Sequence, residues 1–109
     1  MKEDWAIQQK DNAMSFARVY EMRVAAGQQA NLLDALNRLS IVVRECEGYE
    51  SFTILHNIDA PDTYMVIERW VSEEARKKSS NTLPSGLFKL ITEALKCSPN
   101  VRNLKYLTD

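Results

Sequence analysis

The segment Ile67–Ser80, IERWVSEEARKKSS, marks the joint between a β-strand and an α-helix. Ile67, Trp70 and Val71 near its start are β-branched or aromatic, as is typical of a strand. Ser72 can cap a helix through its hydroxyl, and Glu73 and Glu74 follow in the first turn, where the helix dipole favours negative charge. A large aromatic residue, Trp70, stands at the joint. The segment predicts a strand-to-helix connection and raises the question of what the tryptophan is for.

The hydrophobic pattern on both sides of this joint predicts four strands and two helical regions. Helix one is expected from about Gln28 to Cys46, and the second helical region is split by a loop, with Pro84 at the start of its second part. The expected strands cover residues 16–25, 50–57, 63–71 and 100–108. The order β-α-β-β-α-β predicts an α+β fold of the ferredoxin-like type, with an antiparallel four-stranded sheet.

Composition limits the classes of function. The 109 residues fit one domain, predicted at 16–109 after an N-terminal arm, 1–15, in which Asp4 could cap a short helix. A formal charge of -1 provides no general attraction to nucleic acid or anionic lipid. The sequence contains neither a secretory segment nor an apolar run of membrane-spanning length, so we expect a cytoplasmic protein. Cys46 and Cys97 form no CxxC pair, and reduced thiols are expected.

A second apolar set lies on the predicted strands. We expect the helices to cover the other face of the sheet and to leave this set exposed in a single chain. Such a patch is larger than monomers normally expose, so a homodimer built sheet to sheet is predicted. The set comprises Tyr20, Met22, Val24, Tyr64, Val66 and Trp70.

Several motifs together resemble those of the antibiotic biosynthesis monooxygenase domain, a dimeric α/β barrel. They are Gly27 before helix one, Gly48-Tyr49 before strand two, the Asp59-Ala60-Pro61 turn and the E-x-W-x-S-x-E-A pattern of residues 68–75. The last pattern is the most specific, and the resemblance covers about residues 16 to 107. Members of this family share a fold but differ in chemistry, which includes cofactor-free oxidation of aromatic polyketides and haem degradation.

The resemblance implies that Trp70 and Glu68 face the interior of the half-barrel, where substrates bind. Trp70 would stack a planar ring, Glu68 would accept a proton, and Tyr20, Tyr64 and Val66 would line the same pocket. The alternative is that Trp70 fills the barrel and that an arginine such as Arg18 holds Glu68.

Three positions depart from family patterns. Ser79 stands where many members carry a histidine, and Tyr20 stands where haem-degrading members carry an asparagine, which disfavours haem chemistry. Val66 stands near the asparagine position of the polyketide-oxidising members. Ser79 is therefore kept only as a candidate substrate contact.

His56 is the single histidine and a candidate general base, with a packed or rim position as the alternative. The basic run Arg76-Lys77-Lys78 is interpreted as an exposed helical face, with a gate for anionic substrates as the alternative. No spacing indicates a metal site or a bound cofactor.

Two hypotheses of function follow. The first is a cofactor-independent monooxygenase that deprotonates a small phenol or quinol with His56 or Glu68, so that the carbanion reacts with oxygen. The second is a non-catalytic dimeric module that binds or senses a small molecule in the same pocket. The expected partners are a second copy of the chain and a small aromatic ligand, without nucleic acid or membrane.

Overall fold

A computed structural model describes residues 14–108 of the chain. The predicted arm and its Asp4 cap lie almost wholly outside the described residues. The strands and helices, in chain order, are β1 (Phe16–Arg23), α1 (Gln29–Arg44), β2 (Tyr49–His56), β3 (Thr63–Trp70), α2 (Glu73–Ser79), α3 (Ser85–Glu93) and β4 (Asn100–Lys105). The four strands form one antiparallel sheet in the order β2-β3-β1-β4.

This arrangement confirms the predicted α+β, ferredoxin-like fold. The second helical region is split into α2 and α3, and α3 ends before the apolar pattern does. Leu95, just beyond the end of α3, forms an isolated bridge with Val24 on the continuation of β1. No helix within residues 14–108 is long and apolar enough to cross a membrane.

The predicted joint at residues 67–80 has the expected geometry. Ser72 has an extended backbone, and its hydroxyl accepts a hydrogen bond of 3.1 Å from the backbone N–H of Ala75. Glu73 and Glu74 occupy the first turn of α2. The cap satisfies one of the free N–H groups of the first turn, so it fixes where α2 begins relative to the end of β3.

The assignment of the two sheet faces was wrong. The set expected to be exposed is the core: Met22, Val24, Tyr64, Val66 and Trp70 are buried with helix residues such as Leu32 and Leu36, and Tyr20 packs against them. The alternation of side chains along a strand shows which residues share a face of the sheet, but it does not show on which face the helices pack.

The opposite face of the sheet is formed by the odd-numbered residues of the central strands. Its apolar side chains are Ala17, Val19, Met65 and Ile67, with Leu55 of β2 and Leu104 of β4 toward the two edges. We call this set the odd face. Leu55 and Leu104 are about half exposed, whereas Ala17 and Val19 are buried.

Gly48 sets the distance between the start of β2 and α2. It has a positive φ of 86°, and an added Cβ would lie 2.5 Å from the Cβ of Ala75 and 3.0 Å from Cγ2 of Val71. Its backbone carbonyl accepts a hydrogen bond from the N–H of Val71. Only glycine meets both the conformation and the close approach.

Candidate functional site

A buried polar cluster lies on the helix-side face of the central strands. The indole N–H of Trp70 donates to Oε1 of Glu68 at 3.2 Å, and the hydroxyl of Tyr20 makes a longer contact of 3.5 Å with the same oxygen. Trp70 is fully buried, and Glu68 is 4% exposed. A buried carboxyl group needs such donors, because an unpaired one is strongly destabilising. Trp70 therefore fills the core and holds the carboxyl group of Glu68.

The surroundings change the acidity of two members of this cluster. Burial is the largest influence on Glu68 and raises the pKa of its carboxyl group, against the hydrogen bond from Trp70 and the charges of Arg18 and Arg76. Burial, followed by the negative charge of Glu68, raises the pKa of Tyr20 to about 12. Glu68 is thus a stronger base than an exposed glutamate, and Tyr20 remains a hydrogen-bond donor at neutral pH.

Two arginines complete the cluster. Nε of Arg18 donates to the Tyr20 hydroxyl at 2.9 Å, and its Nη1 donates to Oδ1 of Asn103 on β4 at 2.8 Å. The positive charge of Arg76 on α2 lowers the pKa of both Glu68 and Tyr20. Its Nε is buried and has no hydrogen-bond partner, and no other side-chain N or O atom in the described part of the chain shares that condition.

His56 lies at the end of β2, away from this cluster. Its ring stacks on Tyr64 with the ring centres 4.5 Å apart, and Nε2 lies 2.8 Å from the carbonyl oxygen of Pro61. Since a carbonyl can only accept, Nε2 carries the proton in this contact and Nδ1 is the remaining acceptor. His56 is exposed, whereas Tyr64 is buried.

Val66 and Ser79 occupy different surroundings. Val66 is fully buried opposite Tyr20 in the sheet and provides an apolar floor beside the polar cluster. Ser79 is buried on α2, and its hydroxyl donates to the carbonyl of Arg76 at 2.6 Å. Ser79 also lines a separate groove of about 710 Å³, between the end of α1 and α2, that contains none of the other predicted site residues.

The structure therefore brings together Tyr20, Val66, Glu68 and Trp70, with Tyr64 further along the same face. The sequence analysis missed the role of Arg76 because it interpreted the basic run as exposed. A signal was present, since Ser72, Ala75, Arg76 and Ser79 follow the spacing of one helical stripe, and this stripe is the less exposed side of α2.

The described residues contain no group of three or more His, Cys, Asp or Glu side chains that could hold a metal ion. Cys46 and Cys97 are free, and Cys46 is partly buried with its Sγ 3.5 Å from the Thr82 hydroxyl.

Solved structures with the same fold come from several bacteria and an archaeon. A Bordetella bronchiseptica protein described provisionally as an antibiotic biosynthesis monooxygenase has a TM-score of 0.73 and 15% identity, covering 85% of this chain and 97% of its own. A Chloroflexus aurantiacus protein with the same provisional description has a TM-score of 0.72 and 20% identity, covering 87% and 95%. A conserved protein from Methanosarcina mazei has a TM-score of 0.77 and 14% identity, covering 84% and 92%.

At these identities the likeness shows the fold alone. A comparison with curated proteins found no match. The profile of the antibiotic biosynthesis monooxygenase family matches residues 15–85, which include β1, α1, the hairpin of β2 and β3, and the whole Glu68–Ala75 pattern. The chain belongs to the antibiotic biosynthesis monooxygenase family.

Proposed function

We propose that the chain is a cofactor-independent monooxygenase for a small phenol or quinol, with Glu68 as the general base. The observation that carries the proposal is the buried carboxyl group of Glu68. It is oriented by the Trp70 indole N–H at 3.2 Å, and its pKa is raised by burial. A carboxylate with a raised pKa in an apolar setting accepts a proton more readily than one in water.

The proposed reaction starts with proton transfer from the substrate to Glu68. The resulting anion carries electron density at a ring carbon, which reacts with O2 to form a C–O bond and, after protonation, a hydroperoxide. When that carbon still carries a hydrogen, this hydrogen and the outer hydroxyl of the hydroperoxide leave as water, which cleaves the O–O bond and leaves a carbonyl. One oxygen atom enters the product and the other leaves as water. The substrate supplies all the electrons that reduce O2 and both hydrogens of the water, so no external reductant is needed.

The other residues of the cluster have supporting roles in this proposal. Tyr20 is protonated at neutral pH, and its pKa is raised further to about 12, so its hydroxyl can turn from the long 3.5 Å contact with Glu68 to donate to a substrate oxygen. Val66 and Tyr64 provide apolar surface on the same face. His56 remains a second candidate for the base through Nδ1, but its Nε2 contact with Pro61 and its exposure favour Glu68.

We also propose that the chain forms a homodimer through the odd face of the sheet. Its apolar side chains point away from the helices of the same chain, and Leu55 and Leu104 are about half exposed. A second sheet packed on this face would remove them from water.

The experiment measures oxygen consumption by the purified, chelator-treated protein with a panel of phenols, hydroquinones and anthrones. We expect turnover of at least one compound, with one atom of isotopically labelled O2 in the product by mass spectrometry. Glu68→Gln preserves the shape of the side chain but removes the base, so its rate should fall by at least about 100-fold.

Glu21→Gln is the matched control, because Glu21 lies on the adjacent strand but on the opposite face of the sheet. Its rate should stay close to that of the unmodified chain. Equal rates in Glu68→Gln would remove Glu68 from the mechanism and direct attention to His56→Ala. Tight binding of a panel compound without any oxygen consumption would favour the alternative, a non-catalytic binding module.

A further inference from the structure

Arg76 has an unusual position for a residue within a basic run. Its neighbour Lys77 is exposed and lies 3.9 Å from Glu73 one turn earlier. Arg76 instead belongs to the inward stripe of α2, where its Nε is buried without a hydrogen-bond partner. A buried donor of this kind is unfavourable unless something absent from the single chain accepts from it.

The charges around Arg76 show what would complete the site. Arg18 and Arg76 supply two positive charges, and both act on Glu68 and Tyr20. The carboxyl group of Glu68 supplies at most one negative charge, and Tyr20 is uncharged at neutral pH. Arg18 is already hydrogen-bonded to Tyr20 and Asn103. The cluster therefore has an excess positive charge and an unfilled donor on the same arginine.

Polar side chains of β4 border the cluster. Asn103 and Lys105 lie on the helix-side face of β4, opposite Arg18 and Phe16 of β1, and both are exposed. A ligand entering over this edge would pass Lys105 and meet the polar side chains of Arg18 and Asn103 before reaching Arg76. Lys105 and Arg18 thus make this edge of the sheet positively charged, and such an edge attracts anions.

We propose that the site takes a small aromatic carboxylate, with the Nε–H and a terminal N–H of Arg76 as its bidentate donors and Arg18 as the second cation. This inference rests on the proposed function, since it names the substrate class of the same site. Arginine matches a carboxylate through two parallel N–H donors, a geometry that lysine does not offer. The ring would then lie against the apolar side chains on the helix-side face of the sheet, with a ring hydroxyl directed toward Glu68.

The test compares benzoate with benzamide, which has nearly the same shape but no charge, by titration calorimetry on the purified chain. We expect benzoate to bind and benzamide to bind at least about tenfold more weakly. Arg76→Met should weaken benzoate binding by at least about tenfold and leave benzamide unchanged. Arg76→Lys keeps the positive charge but loses the two parallel N–H donors. Its affinity for benzoate should lie between that of the unmodified chain and that of Arg76→Met.

Lys77→Met is the matched control, because it removes the same charge from the exposed side of the same helix. Its affinity for benzoate should stay within about twofold of the unmodified chain. A second readout is the NMR signal of the Arg76 Nε–H, assigned by its loss in Arg76→Lys, which should shift on addition of benzoate. Thermal melts of each variant without ligand show whether the fold is retained.

Equal affinity for benzoate and benzamide, an unchanged affinity in Arg76→Met, or no benzoate binding at millimolar concentration would each overturn the anion site. These outcomes are separate from the oxygen measurements. Arg76-dependent benzoate binding without oxygen consumption would keep the anion site and remove the chemistry. Oxygen consumption that Arg76→Met leaves unchanged would keep the chemistry and contradict the anion site.

Discussion

Trp70 and Glu68 show how one residue can serve both the core and a polar site. The ring of Trp70 is fully buried and meets Tyr49 edge to face at 6.2 Å, while its N–H holds Glu68. A tryptophan can do this because its large apolar surface carries a single donor. The two interpretations drawn from the sequence, a core residue and a residue of the site, are thus compatible at this position.

Glu68 should make the stability of the fold depend on pH. Its pKa is raised by burial, so the folded state favours the protonated carboxyl group. Its stabilising contribution is fully present below the pKa of an unfolded glutamate, about 4.3, and is lost as the pH rises through the higher folded pKa. Glu68→Gln cannot ionise. We therefore expect its melting temperature to exceed that of the unmodified chain at pH 7, with the difference shrinking toward pH 4.

Thermal melts across this pH range check the expectation. The hydrogen bonds from Trp70 and Tyr20 and the charges of Arg18 and Arg76 lower the pKa of this carboxyl group, but burial is the larger influence. A stability difference between the chain and Glu68→Gln that grows as the pH falls would contradict the raised pKa.

At the level of the elements, the strands and helices were predictable because their local signals agree. Ser72 with two glutamates fixes the start of α2, and positive-φ glycines stand before α1 and β2. The side on which the helices pack was not predictable, since both faces of β1 and β3 are apolar. The position of Arg76 was also missed, because the stripe that places it inward spans only two turns of a seven-residue helix and is easily overlooked beside three consecutive basic residues.

Gly48 and Gly27 allow the close approach of β2 to α2 to be tested. Both have positive φ, so alanine at either position should lose about 1 to 2 kcal/mol in the free energy of unfolding from backbone strain. Only at Gly48 would the new Cβ overlap Ala75 and Val71, whereas Gly27 has nothing within 4 Å. We expect Gly48→Ala to lose about 1 to 3 kcal/mol more than Gly27→Ala in urea unfolding. Equal losses would show that α2 moves away without strain.

At the scale of the whole molecule, the two faces of the sheet differ in what covers them. The helix-side face holds the core and the polar cluster, so it is already covered in a single chain. The odd face carries Met65 and Ile67 at its centre and has exposed leucines at its edges. A dimer was predicted because the helix-side set was expected to be exposed. The same reasoning, that an exposed apolar face is covered by a second chain, applies instead to the odd face.

A dimer through the odd face should be sensitive to charge at its centre. Ile67 lies on β3 between Val19 of β1 and Thr53 of β2, so lysine at this position would bring a like charge from each chain into the contact. We expect sedimentation at micromolar concentration to give twice the mass of the chain, and Ile67→Lys to give a folded monomer.

Leu90→Lys is the control for this change, because Leu90 is 48% exposed on α3, on the other side of the sheet. It introduces the same charge and should remain dimeric. A monomeric unmodified chain, or an Ile67→Lys variant that still sediments as a dimer, would show that the odd face is not the contact. Because the polar cluster lies under the helices of its own chain, a monomeric variant should still bind benzoate. Loss of benzoate binding in a folded Ile67→Lys monomer would mean that the second chain shapes the site through the sheet.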